Sequence, residues 1–449
     1  MSGVASAALP KPIPRARWIR IIPPAIIIYI IAYMDRINIG FAMAGGMNEA
    51  LGLSMAVSGL AAGIFFIGYV LLQAPAGHIA EHGSAKKYIL WTIIAWGGLS
   101  FCTGFVQNSW QLLTLRFLLG VAEGGVYPAV LVIVGNWFPQ KELGRANALF
   151  LSSLPISAVL TNPVSGWLVS NYGWRWLFFV EGGVSLALIF IWLPLISDRP
   201  EEAKWISQEE KEYLITALAA DKAIRDIAFK AAGPVKWSYK QLLADKHFWL
   251  MVAIFFCFAM STGGWVVWTP TLLKRIMKMS LTNVGWLSSL PFLMSLAGLY
   301  LLGAISDRKG NRRFHIAFSL TIFGTFFASA TLFPRYIWLS YGLLVLSGLF
   351  EKSMQGPFWS IPSLIFPSGV AGASRGLING IGNLGGFFGT VLVGWVTTRT
   401  GSMTYGIFGL SAFSVLGGLI SLFLPKITTG HQYKMAAAHA PDREKAAVV

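Results

Sequence analysis

The side chains of this chain that could carry out charge chemistry stand inside long apolar runs. The stretch "IIIYIIAYMDRINIGFAMAGG" (27–47) places Asp35 and Arg36 side by side in the middle of such a run, and a later run contains Arg116 and Glu123. A charge at the centre of a bilayer costs about 3 kcal/mol or more unless it faces protein or water, so it marks a functional site. These four residues therefore indicate ion binding or proton transfer inside a membrane.

Asp35 and Arg36 are predicted to face different neighbours, because adjacent residues diverge by about 100° around a helix. Arg36 cannot release its proton, and its planar fork suits bidentate binding of a carboxylate. We expect it to face a central cavity, together with Tyr33, as a clamp for an anion. Asp35 is expected to face the fourth span, where Arg116 or a neighbouring polar group can meet it. A purely structural ion pair that locks these two spans is the alternative.

In the fourth apolar run, Arg116, Gly120 and Glu123 are spaced i, i+4 and i+7, and Tyr127 continues the same face. A lipid-facing stripe of ionisable groups is untenable, so this face is predicted to point to the interior. Burial favours the neutral form of a carboxyl group, which makes Glu123 a candidate for proton binding. Movement of Arg116 between partners would then load and release that proton.

The tenth run, "GLFEKSMQGPFWSIP", predicts that Glu351 and Gln355 share a helix face and that Lys352 is rotated away from them. Lys352 either supplies a second positive charge to a substrate or neutralises Glu351 structurally. Both interpretations stay open at this point.

Two further runs offer polar and aromatic side chains. Asn379 and Asn383 share a face of "GLINGIGNLGGFFGT", where their amides can bind hydroxyl or carboxylate groups or hydrogen-bond between helices. In "STGGWVVWTP", Trp265 and Trp268 could form an aromatic wall for a sugar acid or an aromatic acid. Tryptophan is also typical of membrane interfaces, so an anchoring role is the alternative.

The elements that must position these residues are membrane-spanning helices. Of 449 residues, 55% are hydrophobic and 12% are charged, with a mean hydropathy of +0.62, whereas soluble proteins carry about a quarter charged residues. A run of roughly 20 apolar residues can cross the hydrocarbon core. The chain is predicted to contain twelve such spans, and the fourth and tenth are interrupted by Pro and Gly. They lie at 20–43, 56–79, 88–106, 111–136, 146–170, 175–196, 247–272, 284–305, 315–333, 336–366, 376–398 and 404–425.

A charged stretch divides the chain into two halves. The predicted order is an N-terminal tail (1–19), a six-helix bundle (20–196), a linker with a surface helix (197–246), a second six-helix bundle (247–425) and a C-terminal tail (426–449). Most of the 35 Lys and Arg residues fall on the side that holds both tails and the linker, which predicts that this side is cytoplasmic. The first span is predicted to be uncleaved, with no signal peptide.

The halves repeat in sequence. "GHIAEHGSAKK" (77–87) recurs 226 residues later as "GAISDRKGNRR" (303–313), and "GVAEGG" at Gly120 recurs 228 residues later as "GLFEKS" at Gly348. Parallel repeats related by an axis along the membrane normal are one plan of secondary transporters. Their substrate site lies near the midplane between the repeats.

Several motifs carry a family resemblance. The 303–313 loop fills the pattern "GxxxDRxGxRR", which resembles the loop motif of the major facilitator superfamily, while the 77–87 copy departs from it at Glu81, His82 and Ser84. "YMDRINIGFA", "RFLLGVAEGG" and "GWRWLFFVEG" resemble the anion:cation symporter family within it, which includes tartrate, 2-ketogluconate and hydroxyphenylacetate permeases. The match covers essentially the whole chain.

This resemblance implies an all-α membrane protein of twelve transmembrane helices in two pseudo-symmetric bundles. It also implies import of an organic carboxylate with H⁺ by alternating access, with Asp35 and Glu123 as proton-coupling acids and Arg36 as the anion ligand. The loop motifs are expected to form a cytoplasmic latch between the halves, and ordinary positive-inside anchoring is the alternative. The gating residues are Gly77, Glu81, Lys86, Lys87, Gly303, Asp307, Arg308, Arg312 and Arg313.

The predicted substrate site draws on both halves. It comprises Tyr33, Arg36, Arg116, Tyr127, Trp265, Lys352, Gln355, Asn379 and Asn383. The candidate substrates are a sugar acid such as 2-ketogluconate, tartrate, or an aromatic acid such as hydroxyphenylacetate or phthalate. An organic anion uniporter or exchanger is an alternative. Organophosphate:phosphate antiport is another, although it would favour a second Arg at cavity depth in span seven.

Other classes are disfavoured by the residues themselves. Arg36 would repel a cationic drug, and the two cysteines, Cys102 and Cys257, cannot build a metal site or a disulfide framework. The histidines lie in loops, tails or at span ends, which disfavours an enzyme, and the linker is too short to be the extra domain of a receptor. The basic residues are spread over loops, so nucleic acid is not an expected partner. We expect a monomer in a bacterial inner membrane that uses protons and no other cofactor.

Overall fold

The computed structural model of this chain describes residues 15–231, 239–366 and 368–425. Within these ranges the chain is helical apart from short turns, and no strand occurs, which confirms the all-α prediction. The predicted tails lie largely outside the described residues, as do the side chains of Asp307 and Arg308 among the predicted gating residues.

The N-terminal half contains six helical segments, named span 1 to span 6 in chain order, preceded by the short helix Ala16–Arg20. Several of them are broken into two pieces or more. Span 1 comprises Ile22–Ile37, Ile39–Ala42, a kinked turn at Met43–Met47, and Asn48–Ala50; span 2 is Met55–His82; span 3 is Ala85–Thr103; span 4 is Ser109–Glu123 and Val126–Trp137; span 5 is Gln140–Leu151 and Ser153–Tyr172; span 6 is Trp174–Ala187 and Ile189–Leu195.

The linker and the C-terminal half follow the same plan. The linker forms a 3₁₀ turn at Pro200–Glu202 and the helices Gln208–Ala231 and Tyr239–Ala244. Span 7 is Lys246–Met277; span 8 is Leu281–Lys309; span 9 is Arg312–Ser329; span 10 is Ile337–Glu351, Gln355–Ser360 and Pro362–Ile365; span 11 is Ser368–Thr400; span 12 is Met403–Ser421. In the described part of the chain, nine of these twelve segments are long and apolar enough to cross a membrane by length and composition alone. Spans 3, 9 and 10 complete the two sets of six.

Capping side chains explain where many of the helices begin. Ser54, Ser84, Asn108 and Ser280 each precede a helix, and each accepts a hydrogen bond from the backbone N–H three residues later. Such a cap satisfies one of the N–H groups that a helix start leaves without a partner. Spans 2, 3, 4 and 8 therefore start at positions that the local sequence specifies.

The sequence repeat reappears in the packing of spans 4 and 10. A Cβ added at Gly120 would lie 2.0 Å from the carbonyl oxygen of Phe65 in span 2, and one at Gly348 would lie 2.1 Å from that of Pro291 in span 8. Each glycine therefore lets two helix backbones touch, as small residues do in membrane bundles. Spans 4 and 10 occupy equivalent places in the two halves.

The linker is anchored to the N-terminal half by a buried cation. Arg17 donates from Nη2 to Glu142 at 2.7 Å and from Nη1 to Glu210 of the linker helix at 2.6 Å. Arg17 and Glu210 are both buried, so this triad joins the start of the chain, span 5 and the linker. We call the end of the bundle that carries this triad the linker face, and the opposite end the far face.

Several hydrogen bonds join the two halves toward the far face. There the Lys274 ammonium of span 7 donates to the carbonyl of Ala44 in span 1 at 2.5 Å, and the Ala56 N–H of span 2 donates to Thr398 of span 11 at 2.8 Å. Nearer the middle, Asn162 of span 5 donates to a carbonyl of span 8 at 3.2 Å. The halves are thus closed at the far face.

Candidate functional site

Arg36 of span 1 forms an ion pair with Glu123 of span 4. Its Nη2 lies 3.1 Å from the Glu123 Oε2; the Arg36 side chain is 13% exposed and that of Glu123 is 0%. The guanidinium lies over three rings, whose centroids are at 5.4 Å (Tyr33), 5.1 Å (Phe65) and 4.4 Å (Tyr69). Aromatic faces attract a cation and displace water, so the pair sits in an environment where charge interactions are strong.

This ion pair leaves hydrogen-bonding capacity unused. In the described structure, neither the Arg36 Nε nor the Glu123 Oε1 has a hydrogen-bond partner, and both atoms are buried. A buried polar group without a partner costs about 1–3 kcal/mol. The guanidinium can therefore gain by accepting another anion, and the carboxyl group can gain by accepting a proton.

The Arg116 side chain of span 4 binds the backbone of span 1 beside this pair. Its Nη1 donates to the carbonyl of Asp35 at 3.1 Å, its Nη2 to that of Arg36 at 3.2 Å, and its Nε to that of Ala61 at 3.4 Å. The residue is only 1% exposed. The predicted interior stripe on span 4 is correct in direction, but in this conformation Arg116 contacts carbonyl groups and not a carboxylate.

Asp35 does not face span 4, so that expectation is wrong. Its Oδ1 accepts a hydrogen bond from Ser100 of span 3 and its Oδ2 accepts one from Ser185 of span 6, both at 2.5 Å. The 100° turn from Arg36 carries the carboxylate to the other side of span 1, away from Glu123. Asp35 is fully buried, and the Arg116 guanidinium bonds its backbone carbonyl and not its carboxylate.

A second buried carboxyl group joins Asp35 through an amide. Asn38 Nδ2 donates to Glu181 Oε2 at 2.9 Å and to Asp35 Oδ1 at 3.4 Å, and Ser165 donates to Glu181 Oε1 at 2.6 Å. Sequence reasoning had left Asn38 and Glu181 out of the site. Two features of the sequence could have identified them. Both are polar residues inside apolar runs, and Asn38 follows Asp35 by three residues, which places the two on one helix face.

Glu351 and Lys352 form the corresponding ion pair of the C-terminal half. The Lys352 Nζ lies 2.7 Å from Glu351 Oε1, with side-chain exposures of 12% and 1%. Ser295 of span 8 donates to Glu351 Oε2 at 2.7 Å. The prediction that Lys352 is rotated away from Glu351 is wrong, because the two side chains form an ion pair at the point where the helix ends.

The two amides of span 11 connect to the other half. Asn383 Nδ2 donates to Asn379 Oδ1 at 3.1 Å, and Asn379 Nδ2 donates to Gln73 Oε1 of span 2 at 3.2 Å. The Asn379 amide therefore hydrogen-bonds between helices, and the Asn383 amide bonds to it within span 11. Gln73 is a further member that the sequence did not reveal, since its partner lies 306 residues away.

Trp265 does not line a cavity, so the expected aromatic wall is wrong. It is fully buried in the C-terminal half, with its ring centroid 4.7 Å from that of Phe292 and 6.1 Å from that of Phe323. Trp268 is also buried and donates its Nε1 to the carbonyl of Thr390 at 3.2 Å. An apolar span carries no periodic signal that separates a core tryptophan from a cavity tryptophan.

The two remaining predicted substrate residues lie at the edges of this region. Tyr127 is half-buried, with its ring centroid 5.6 Å from that of Tyr29 and 5.8 Å from that of Phe150. Gln355 is half-buried at the start of the short helix that follows the break in span 10. The break interrupts the helix face that Gln355 was predicted to share with Glu351.

The N-terminal loop motif bonds within its own half. Asp198 at the end of span 6 accepts hydrogen bonds from the Lys86 N–H at 2.8 Å and from the Ser84 hydroxyl at 2.5 Å. Glu81 and Lys87 are exposed. Asp198 therefore supports the Ser84 cap at the start of span 3 from within the same half. Gly77 lies on the adjoining part of span 2 and is half-buried.

The C-terminal loop motif shows the same behaviour where it is described. Arg313 donates from Nη1 to the carbonyls of Leu422 and Leu424 at the end of span 12, both at 3.1 Å. Arg312 and Gly303 are half-buried. Within the described side chains, these contacts stabilise each half separately, and a latch between the halves remains a prediction.

Two six-helix bundles with an ion pair in each half, placed inside the apolar part of the molecule, define a membrane transport protein. The sequence model of the Major Facilitator Superfamily matches residues 25–390, and the chain belongs to that superfamily. It is a multi-pass membrane transporter and not an enzyme.

Individual relatives span nearly the whole chain. A protein of Agrobacterium vitis, provisionally named a tartrate transporter, is 33% identical over 93% of this chain and 96% of its own length. The metabolite transport protein NicT of Pseudomonas putida, also provisionally named, is 33% identical over 90% of this chain and 93% of its own length. A crystal structure of a bacterial homologue of the human lysosomal transporter Spinster shares the fold, with a TM-score of 0.70, 15% identity and coverage of 95% of this chain and 98% of that one.

Proposed function

We propose that this transporter imports an organic carboxylate together with H⁺ by alternating access. The observation that carries the proposal is the ion pair between Arg36 and Glu123, which is enclosed by aromatic rings, partly exposed and incompletely hydrogen-bonded. We also infer that the linker face is cytoplasmic and that the membrane is a bacterial inner membrane, from the distribution of Lys and Arg.

The pair couples the two ligands because the proton replaces Arg36 as the partner of Glu123, while the carboxylate replaces Glu123 as the partner of Arg36. A proton that neutralises Glu123 removes the partner of Arg36, and the guanidinium is then free to bind a carboxylate. When the carboxylate leaves, Glu123 loses its proton and pairs with Arg36 again. Each state keeps the buried charge of Arg36 compensated, which is the condition for moving through a low-dielectric site.

Asp35 is proposed as the second proton-coupling acid. The hydrogen bonds to its carboxylate come from the hydroxyl groups of Ser100 and Ser185 and from the amide of Asn38, and these are neutral donors. A buried carboxylate without a cation in contact is the kind that gains most from binding a proton. Its two serine partners belong to spans 3 and 6, so its protonation would loosen span 1 from these spans.

Alternating access is supported by how the halves meet. Polar contacts at Lys274–Ala44 and Ala56–Thr398 join the halves toward the far face, and spans 2 and 11 also pack closely there through Gly59. Exchange of such contacts for others at the linker face would expose the ion pairs to the opposite side. The latch predicted for the loop motifs would act in that second state.

Organic acids are the proposed substrate class. The partly exposed Arg36 supports an anionic substrate, and the provisional name of the Agrobacterium vitis relative supports a small hydroxylated acid such as tartrate. A uniporter or exchanger of organic anions is the alternative, because it would use the same cation without net proton movement. Organophosphate:phosphate antiport is less well supported, since span 7 carries no Arg at the depth of Arg36.

The test is uptake of labelled tartrate, 2-ketogluconate and hydroxyphenylacetate into proteoliposomes with and without an inward proton gradient. We expect the gradient to drive accumulation above equilibrium, and we expect Glu123→Gln to lower that accumulation, because one coupled proton is lost, while leaving exchange of substrate across the membrane. The exposed linker acid Glu209, changed to Gln, is the matched control and should behave as wild type.

Two results would count against the proposal. Accumulation by Glu123→Gln equal to wild type would remove Glu123 from the coupling mechanism. Uptake that reaches equilibrium and ignores the proton gradient in wild type would favour the uniporter or exchanger.

A further inference from the structure

We propose that Glu351 and Lys352 form a second anion and proton site, equivalent to Glu123 and Arg36, and that the transported substrate is a dianion whose two acidic groups bind Arg36 and Lys352 together. This proposal rests on the proposed function and specifies the substrate class and the number of coupled protons. Glu351 receives a role in proton coupling that the sequence had not assigned to it.

The first support is the pseudo-symmetry of the two acids. Glu123 is the last residue of the 15-residue helix Ser109–Glu123, and Glu351 is the last residue of the 15-residue helix Ile337–Glu351. Both are 1% exposed, and each is in contact with a cation, at 3.1 Å and 2.7 Å. Both spans break immediately after the acid, so each carboxyl group lies at a helix end near mid-membrane.

The second support is the placement of the two cations. The side chains of Arg36 and Lys352 are 13% and 12% exposed, whereas their acidic partners are almost fully enclosed. Lys352 also lies within electrostatic range of Arg36 and Tyr33 across the boundary between the halves. One small molecule with an acidic group at each end can therefore reach a cation of the N-terminal half and a cation of the C-terminal half.

The third support is charge balance. Arg36, Lys352, Glu123 and Glu351 sum to zero, so a dianion bound without protons would leave two uncompensated negative charges in a site of low dielectric. A proton on each glutamate restores neutrality and releases each cation for one acidic group. The groups that face Glu351 are Lys352 on its own span, Ser295 on span 8 and Tyr33 on span 1.

Glu123 has two more charged groups nearby than Glu351 has. It faces Arg36 on span 1, and Asp35 and Arg116 lie within electrostatic range. These two additional charges offset one another, so the immediate balance at Glu123 is again one cation against one acid. The charge count is therefore the same for both halves.

Matched pairs of probes test the substrate class. Tartrate differs from threonate by one carboxylate in place of a hydroxymethyl group, and the pairs glucarate/gluconate and phthalate/benzoate differ in comparable ways. We expect wild type to prefer the dianion of whichever pair it transports. A hydrogen-bonded charge pair contributes roughly 1.5–3 kcal/mol, so Lys352→Met should raise the half-saturating concentration of the dianion about 10- to 100-fold. The same change should leave the half-saturating concentration of the monoanion within about twofold of its wild-type value.

Glu351→Gln tests the proton count. The ratio of protons to substrate is measured as the substrate gradient that balances an imposed pH gradient at a fixed membrane potential. We expect the ratio to fall by one proton per substrate while uptake persists, because Lys352 is permanently free. Ser347→Ala on the same span, where the hydroxyl donates to the carbonyl of Leu344, should keep the wild-type ratio and guards against a general effect of disturbing this region.

The outcomes separate this proposal from the proposed function. Equal transport of dianion and monoanion, an equal effect of Lys352→Met on both, or an unchanged proton ratio in Glu351→Gln would overturn the proposal and leave carboxylate symport in place. Failure of wild type to transport the six probes, 2-ketogluconate and hydroxyphenylacetate alike would overturn the proposed function and this proposal with it. Melting temperatures of the purified variants in detergent identify any that fail to fold, and Lys352→Gln then replaces Lys352→Met.

Discussion

The two halves carry equivalent glutamates but provide their cations differently. In the N-terminal half, Arg36 comes from span 1 and crosses to Glu123 of span 4. In the C-terminal half, Lys352 follows Glu351 directly and reaches it through the turn that ends the helix. The N-terminal pair therefore links two helices, whereas the C-terminal pair is local to one span. Ser295 of span 8 hydrogen-bonds its acid, and the Phe258 ring of span 7 lies 5.4 Å from its ammonium.

This difference suggests a division of labour between the halves. Breaking the pair of Arg36 and Glu123 releases span 1 from span 4, so binding events there can move a helix. Breaking the pair of Glu351 and Lys352 changes charge without releasing a helix. The N-terminal half also contains the buried network of Asp35, Asn38 and Glu181, and span 7, which corresponds to span 1, carries no acid in its apolar part.

The largest expected effect comes from the cation that links two helices. Arg36→Ala should lower carboxylate uptake at least 100-fold, because it removes the anion ligand and leaves Glu123 buried without its partner, each costing about 2 kcal/mol or more. Arg36→Lys should recover little, since an ammonium cannot reproduce the planar fork or the stacking on Tyr69. Initial uptake rates in proteoliposomes give the comparison.

The control for this prediction is Arg399→Ala at the far face, where the guanidinium stacks on the exposed ring of Trp395. It should transport as wild type does. A Lys352→Ala variant that lost as much activity as Arg36→Ala would contradict the division of labour, because a local pair should matter less than one that links two helices.

The equivalent glycines of spans 4 and 10 test whether the halves are packed alike. Gly120→Ala and Gly348→Ala each push a methyl group against a backbone carbonyl at about 2 Å, and overpacking of this kind costs roughly 1–3 kcal/mol. Both variants should therefore melt at lower temperature, and by similar amounts, in thermal unfolding of the purified protein in detergent.

Gly135→Ala and Gly342→Ala are the matched controls on the same two spans, since an added Cβ there meets nothing within 4 Å. Alanine is also the better helix former, so these variants should be unchanged or slightly more stable. A large drop for only one of Gly120→Ala and Gly348→Ala would show that the pseudo-symmetry does not extend to packing.

The smallest expected effect concerns the amide bridge between the halves. Gln73→Ala and Asn379→Ala both remove the hydrogen bond of 3.2 Å between these half-buried groups, and Asn379→Ala also removes the bond from Asn383. A typical neutral hydrogen bond contributes about 0.5–1.5 kcal/mol. A double-mutant cycle, measured by thermal unfolding or by transport rate, should therefore give a coupling free energy between Gln73 and Asn379 in that range. Strictly additive effects would mean that the bridge does not hold the halves in the state that limits transport.

Much of the fold was predictable because membrane crossing imposes a simple rule on sequence. Runs of about 20 apolar residues gave the twelve segments, and the offset between Gly120 and Gly348 gave the repeat that the packing reproduces. Side-chain partners were less predictable. The helical period placed Glu123 on an interior face, but Asp35 turned to Ser100 and Ser185, because hydroxyl groups on spans 3 and 6 have no distinguishing pattern.

The sequence by itself determined which residues are candidates for function. Charges inside apolar runs are costly, so Asp35, Arg36, Glu123 and Glu351 are identified by their positions in those runs. Only the tertiary structure decided which of them meet. Arg36 meets Glu123, 87 residues away, because of how the helices cross. Lys352 pairs with Glu351 where span 10 breaks. Local periodicity specifies the face of a helix, whereas contact between faces is set by the packing of the whole bundle.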